Sequence, residues 1–237
     1  MRLRLPSRWL HSAVCLVGLL FSGCVVSPQP EPPSIIASLL SIEGRSGSVT
    51  LKGSAGAVQP GGSDLSTIDL DTSDPAAAIT VANDGSFSLV LAGTGTDEFR
   101  LQAFSGGLRS DPLDITRNVG LAGDGTAVLV TTPLDSCFLL APALEVGPIA
   151  ALSSATVQMT NHCTDDVTVS GLSLRRGSPA FTITPGSGPL LIPAQGAGAF
   201  TVTFNPQPGA PTEDILFVEL ATPSQGRRSL TVRGQTP

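Results

Sequence analysis

A chain of 237 residues with 41% hydrophobic residues has enough apolar mass for a packed core, and its mean hydropathy of +0.26 excludes a largely disordered chain. Thirteen Lys and Arg against 19 Asp and Glu give a formal charge of −6, so the basic face that nucleic-acid phosphates require is missing. Gly 26 and Pro 20, with 4% aromatic residues, suit short strands and frequent turns rather than long helices.

Arg2, Arg4 and Arg8 form a basic start with no acidic residue among them, and Leu10 to Phe21 is mostly apolar, His11 and Ser12 excepted. That stretch is shorter than the roughly 20 residues a membrane-spanning helix needs, and reads instead as an export signal. Phe21-Ser22-Gly23-Cys24 follows directly. The tetrapeptide resembles the lipobox of bacterial lipoprotein precursors, with Phe21 where Leu is commonest. The resemblance implies cleavage before Cys24 and acylation of its thiol. The alternative is an ordinary signal peptide in which Cys24 is incidental. Val25 to Ser34 reads VVSPQPEPPS, a Pro-rich run that favours a solvated polyproline spacer. Removing residues 1–23 leaves 10 basic residues against 19 acidic ones, with Lys52 the sole lysine and His162 the sole histidine. Such a chain does not dock electrostatically on anionic lipid.

The rest reads as all-β, in two Ig-like sandwiches. No long segment has helical apolar spacing, whereas short β-rich runs recur between turn signals. In the first half these are 48–51, 67–70, 78–81, 86–91 and 98–104, with Phe87, Leu89 and Leu91 alternating on one face and Phe99, Leu101 and Ala103 on another. Asn83-Asp84-Gly85 predicts a hairpin between two of the runs, because Gly accepts the positive φ of a tight turn. Residues 118–125 are less regular and lead to the apolar run Ala127 to Thr131. Gly53 to Val58, Ala82 to Ser88, Leu101-Gln102-Ala103 and Leu108-Arg109-Ser110 together resemble bacterial Ig-like repeats of surface proteins, over residues 42–116. A transthyretin-like sandwich gives almost the same pattern.

The second half has runs at 155–161, 167–174, 181–183, 191–196, 200–206, 215–220 and 229–234. A strand into Thr160-Asn161, a Phe181 strand, Pro193-Ala194-Gln195-Gly196, then Val202-Thr203-Phe204-Asn205-Pro206 and a closing strand to Gly234 resemble the ASH (abnormal-spindle/Hydin) class of Ig-like domains, over residues 137–235. Asn161-His162-Cys163 stands where that family often has Asn-x-Gly. The expected organisation is a signal peptide (1–23), a lipidated Cys24 and tether (24–34), a first sandwich (35–117), a linker or extra strand (118–135) and a second sandwich (136–237).

With Cys15 in the signal and Cys24 acylated, Cys137 and Cys163 are expected to pair, because exported chains meet oxidising conditions. Zinc is the alternative, but Cys137, Cys163 and His162 fall short of a full ligand set. His162, beside Asp165 and Asp166, is the only mature general base, and no G-x-S-x-G elbow accompanies it. Asp69, Asp71 and Asp74 offer oxygens for calcium, but Pro75 follows and no loop glycine completes the pattern. Gly61-Gly62 reads as a turn, not a phosphate loop. No catalytic residue, metal or cofactor is therefore assigned, and an enzyme is not expected.

The expected function is a non-catalytic cell-envelope lipoprotein that acts as a protein-interaction or structural module. Its partners would be the bilayer, through Cys24, and another envelope protein. Surface adhesion or carbohydrate binding is the alternative, weakened by the absence of Trp and Tyr from the mature chain. Val25 is not an acidic inner-membrane retention signal, which favours the outer membrane. Asp214 to Leu220 is apolar on both faces, and reads either as a buried central strand or as an edge that recruits a partner strand.

Overall fold

The structure, a computed structural model, describes residues 30–45, 47–117, 126–148, 152–185 and 188–235. Cys24, the signal segment and most of the tether lie outside the described residues. Residues 32–237 form one compact unit.

Its first half contains β1 (Ser34–Ile35), β2 (Leu40–Arg45), β3 (Ser48–Gly53), β4 (Val58–Gln59), β5 (Asp64–Asp69), β6 (Ala77–Thr80), β7 (Phe87–Ala92), β8 (Phe99–Ser105), β9 (Leu108–Arg109), β10 (Leu113–Arg117) and β11 (Ala127–Leu129). One sheet has the order β2-β3-β7, and the sheet facing it has the order β11-β10-β8-β5-β6, with β9 beside β8. The period-2 pattern sends Ile42, Val49, Leu51 and Phe87 from the first sheet into a shared core with Leu65, Phe99, Leu101 and Ile115 from the second. The segment between the halves thus supplies a strand, β11, to the first sandwich.

Asn83-Asp84-Gly85 forms a tight turn, with the Gly85 N–H donating to Ala82 O at 2.8 Å. Gly85 has φ +82, and a β-carbon there would lie 2.4 Å from Val58 O. The turn does not close a hairpin, however. β6 pairs with β5 while β7 pairs with β3, so the chain crosses from one sheet to the other at this corner. Local turn chemistry was legible here; the divergence of the flanking strands depends on the core they share.

The second half contains β12 (Phe138–Leu140), β13 (Ala143–Pro148), β14 (Ser153–Asn161), β15 (Val167–Leu174), β16 (Phe181–Thr184), β17 (Leu190–Ile192), β18 (Ala197–Phe204), β19 (Glu213–Thr222) and β20 (Gly226–Gln235). Its sheets have the orders β12-β14-β18-β16 and β13-β20-β19-β15-β17. All pairings are antiparallel except β13 with β20, which is parallel. Phe138, Val157, Met159, Phe200, Val202 and Phe204 meet Val167, Val169, Leu216, Val218, Leu230 and Val232 in the second core. Full burial of one such side chain stabilises the fold by about 1.5–3 kcal/mol.

β19 is paired on both sides, with β15 and with β20. The reading of residues 214–220 as a recruiting edge is therefore overturned. Their two apolar faces have two different destinations. Leu216, Val218 and Leu220 enter the second core, whereas Ile215 and Phe217 pack with Leu70 and Ile68 of the first half. The two sandwiches meet face to face, the β5-β8-β10 sheet against the β19-β20 sheet.

Candidate functional site

The side chains expected from sequence to carry chemistry are dispersed. Cys137 and Cys163 are joined by a disulfide with Cα atoms 4.9 Å apart, so neither is free for a metal. Asn161 is fully buried beside it. Its amide donates to the carbonyls of Asp165, Ile192 and Pro193 at 2.9–3.1 Å, and its oxygen accepts the Cys163 N–H at 2.9 Å. That side chain and the disulfide together hold the loop that carries Asn161-His162-Cys163. His162 is exposed, its N–H donating to Cys137 O, and Asp166 accepts the Ala194 N–H. No nucleophile is positioned by this histidine among the hydrogen bonds of the described residues.

Asp69, Asp71 and Asp74 do not converge on a common point. Asp69 is buried and accepts the Asp71 N–H; Asp71 accepts from Arg227 and from the Glu98 N–H; Asp74 presents its carbonyl to Arg175. Among the described residues no group of three or more acidic, His or Cys side chains is placed to hold a metal ion. Arginines of the second sandwich meet this segment instead: Arg227 takes the Asp71 carboxylate, and Arg175 the main-chain carbonyls of Asp69 and Asp74.

Those arginines belong to the most extensive polar network among the described residues, the seam between the sandwiches. Arg100 on β8 is buried and grips Asp114 on β10 with two hydrogen bonds of 2.7 and 2.8 Å. It also crosses the seam, donating to Ser229 Oγ at 2.6 Å, Ser229 O at 3.0 Å and Thr231 Oγ1 at 3.0 Å. Ser229 in turn donates to Asp114, closing the network. Arg227 on β20 reaches the other way, to Asp71 and Glu98, with its guanidinium 4.6 Å from the Phe217 ring centre. Burial alone would lower the Arg227 pKa, but the hydrogen bonds it donates to the Glu98 and Asp71 carboxylates, and their negative charge, outweigh burial and hold it above the ordinary value. Arg233 donates to Gln102 across the seam and to Glu213 and Glu145 within its own sandwich. Arg175 donates to the carbonyls of Asp69 and Asp74. Its pKa is lowered by burial and by the neighbouring Arg176, against the pull of nearby carboxylates.

At one end the seam opens into a groove of about 280 Å³, lined by Glu98, Arg100, Asp114, Leu129, Leu140 and Arg228 among others. Its charges are already partnered, with Arg228 on Asp135 at 2.5 Å and Arg100 on Asp114. The arrangement is suited to holding two sandwiches in one orientation. The pairings follow from outward-facing positions of β8 and β20, which alternation marks as polar, yet a polar outward residue in sequence looks the same whether it meets water or another sheet. The grouping of Arg227, Arg228 and Arg233 on the last strand of a chain with one lysine was the available signal.

No family model matches this chain, and no curated protein matches it. Solved structures with some likeness include an ASH/PapD-like domain of human CEP192, 16% identical with a TM-score of 0.36, covering 49% of this chain and 96% of that one. A protein of unknown function from Porphyromonas gingivalis W83 is 15% identical, with a TM-score of 0.36, and covers 86% of this chain and 100% of that one. The adhesin InvE of Yersinia pseudotuberculosis is 17% identical, with a TM-score of 0.27, over 84% of this chain and 56% of that one. Likeness at this level carries no argument about function or partner.

Proposed function

We propose that this chain is a cell-envelope lipoprotein, cut before Cys24 and anchored by lipid on that residue, whose two sandwiches work as a non-catalytic interaction or structural module. In this reading residues 24–34 are the stand-off, and residues from 35 onward form the two sandwiches, with β11 completing the first. The outer membrane is the proposed location. Another envelope protein is the proposed partner class.

The seam is the observation that carries the module reading. Arg100, Arg227 and Arg233 each place donors across the joint between the two sandwiches, and a joint of that kind fixes the spacing and angle of the surface loops and sheet edges. A module that presents surfaces to another protein gains from such preorganisation, because less motion is lost on binding. The Cys137–Cys163 disulfide supports export to an oxidising compartment. Arg2, Arg4 and Arg8 before Leu10–Phe21 and Phe21-Ser22-Gly23-Cys24 support the anchor.

Two measurements test the two parts. Wild-type protein should take up labelled fatty acid, and Cys24→Ser should take up none and accumulate as precursor. Normal maturation of the mutant would remove the anchor from the account. Capture of the tagged protein from solubilised envelope should recover a protein partner, whereas saturable binding on a glycan array with no co-purifying protein would favour carbohydrate adhesion instead.

A further inference from the structure

The sheet edges differ sharply in how well they are protected. Among the described residues, β6, β11, β12, β16 and β17 end their sheets with only three or four residues each. β2 carries Glu43 and Arg45, and Ser41 receives a bridge from Thr126. β13 carries Glu145 and ends in Pro148. β7 has none of these devices. It is a six-residue edge, Phe-Ser-Leu-Val-Leu-Ala, without charge or proline, and such an edge is a template for another strand.

The direction of its free groups follows from the ladder. β2 and β3 are joined by a two-residue connection, with Arg45 opposite Ser48, so Ser48, Thr50 and Lys52 turn their main-chain groups toward β2. Val49, Leu51 and Gly53 then turn theirs toward β7, where Leu91, Leu89 and Phe87 lie opposite. Ser88, Val90 and Ala92 are left with N–H and C=O pointing away from the sheet. The Ser86 carbonyl, in the same phase, indeed accepts from Ala82 rather than from β3. Ser88 and Ala92 are exposed, and Val90 is 65% exposed. On the opposite face Leu89 and Leu91 point toward the core but stay only partly covered.

We infer that β7 is a self-pairing edge, at which two copies of this chain join antiparallel about a two-fold axis through Val90, with Ser88 facing Ala92 of the second copy. The three outward residues are symmetric about Val90, so each outward group meets its counterpart and the set closes on itself, as an isologous contact requires. Small side chains flank Val90 on both sides, leaving the facing valines unobstructed. The nearest charges on that face, Lys52 and Glu43, already pair with each other at 2.6 Å, so no like charges are brought together. Joined this way, two three-stranded sheets become one of six strands, and Leu89 and Leu91 gain cover. An edge-to-edge joint buries less than the roughly 1,200–2,000 Å² of a standard interface, so the dimer forms with modest affinity. This deepens the interaction-module reading but stands on strand geometry alone. A chain that dimerises yet captures no other protein would retain this inference while losing the other.

The test uses the full chain exported to the envelope of a bacterial host. Val90→Cys places two thiols at a hydrogen-bonded cross-strand pair, whose Cα atoms lie about 5.5 Å apart, inside the ~4.4–6.8 Å that a disulfide spans. A reducible band at twice the monomer mass is expected from Val90→Cys and not from Leu191→Cys, which is similarly exposed at 58% on the β17 edge. Detergent-corrected light scattering should show mass rising toward the dimer with concentration for wild type. Val90→Lys, which leaves every β3 bond in place, should stay monomeric with an unchanged melting midpoint. A wild type that remains monomeric throughout, equal cross-linking of both cysteine variants, or a Val90→Cys adduct of any other mass would overturn the inference.

Discussion

Arg100 and Asp69 show how differently buried charge is handled within one seam. Arg100 is paired, bidentate and hydrogen-bonded across the joint, so removing it would leave Asp114 without its partner. Asp114 keeps about 20% of its side chain exposed, which places the expected loss for Arg100→Ala near the low end of the about 3–5 kcal/mol seen when a buried pair is broken. The loss is read from the variant's first chemical-denaturation transition against the single transition of wild type. Asp69 is the opposite case. Its Oδ2 is buried without a donor, and a β-carbon on Gly93 would sit 3.1 Å from that oxygen and 2.9 Å from Asp97 Oδ2, so the two carboxylates converge there. Burial, chiefly, and the negative charges of Asp97 and Asp71 raise its pKa, although the Asp71 N–H pulls the other way. A raised folded pKa means that the folded state holds the proton more tightly than the unfolded chain. The stabilisation is present below the ordinary carboxylate value of about 3.9 and is lost as pH rises through the folded value. Asp69→Asn should therefore melt higher than wild type at neutral pH, with the gap shrinking as pH falls toward 4. A gap that is constant with pH, or reversed in sign, would contradict the cause given for the shift. Glycine at 234 has a plainer reason: a β-carbon there would lie 2.5 Å from the Phe204 ring, so Gly234→Ala is expected to destabilise the second core.

Strands with strict alternation and a buried face were legible before any coordinates. β15 spans the residues expected of it, β14 and β20 extend theirs by a few residues, and β18 begins three residues earlier and ends two short of the expected run, at Phe204. β2 and β10 alternate too, as Leu40-Ile42 and Leu113-Ile115, but each carries an acidic and a basic residue within it and so reads as a polar connection. In the structure Leu40, Ile42 and Ile115 enter the core while Asp114 meets Arg100 and Glu43 meets Lys52, so the charges lie on the faces turned away from it. Pairing was less legible than strand location, since the parallel β13–β20 contact and the crossing at Asp84-Gly85 depend on partners distant in sequence. At this scale the central placement of β19 predicts uniformly slow hydrogen exchange at residues 214–220 in the isolated protein; fast exchange there would contradict pairing on both sides. The disulfide closes a separation of 26 residues. Cys137→Ser should lower stability by about 2–5 kcal/mol, read from denaturation curves of the two proteins.

For the molecule as a whole, the seam gathers charge of both signs. Arg100, Arg175, Arg227 and Arg233 all reach across or along it, and Asp71, Glu98, Asp114, Glu145 and Glu213 accept from them there. The joint also combines polar bonds with the small apolar cluster of Leu70, Ile215 and Phe217, so water is kept from part of it. Two separate cores would otherwise unfold independently. Differential scanning calorimetry on wild type and Arg100→Ala tests this coupling most directly. One transition, with calorimetric and van't Hoff enthalpies in agreement, is expected for wild type, and two resolved transitions for the variant. Two transitions in the wild-type protein itself would contradict a seam that makes the sandwiches a single cooperative body.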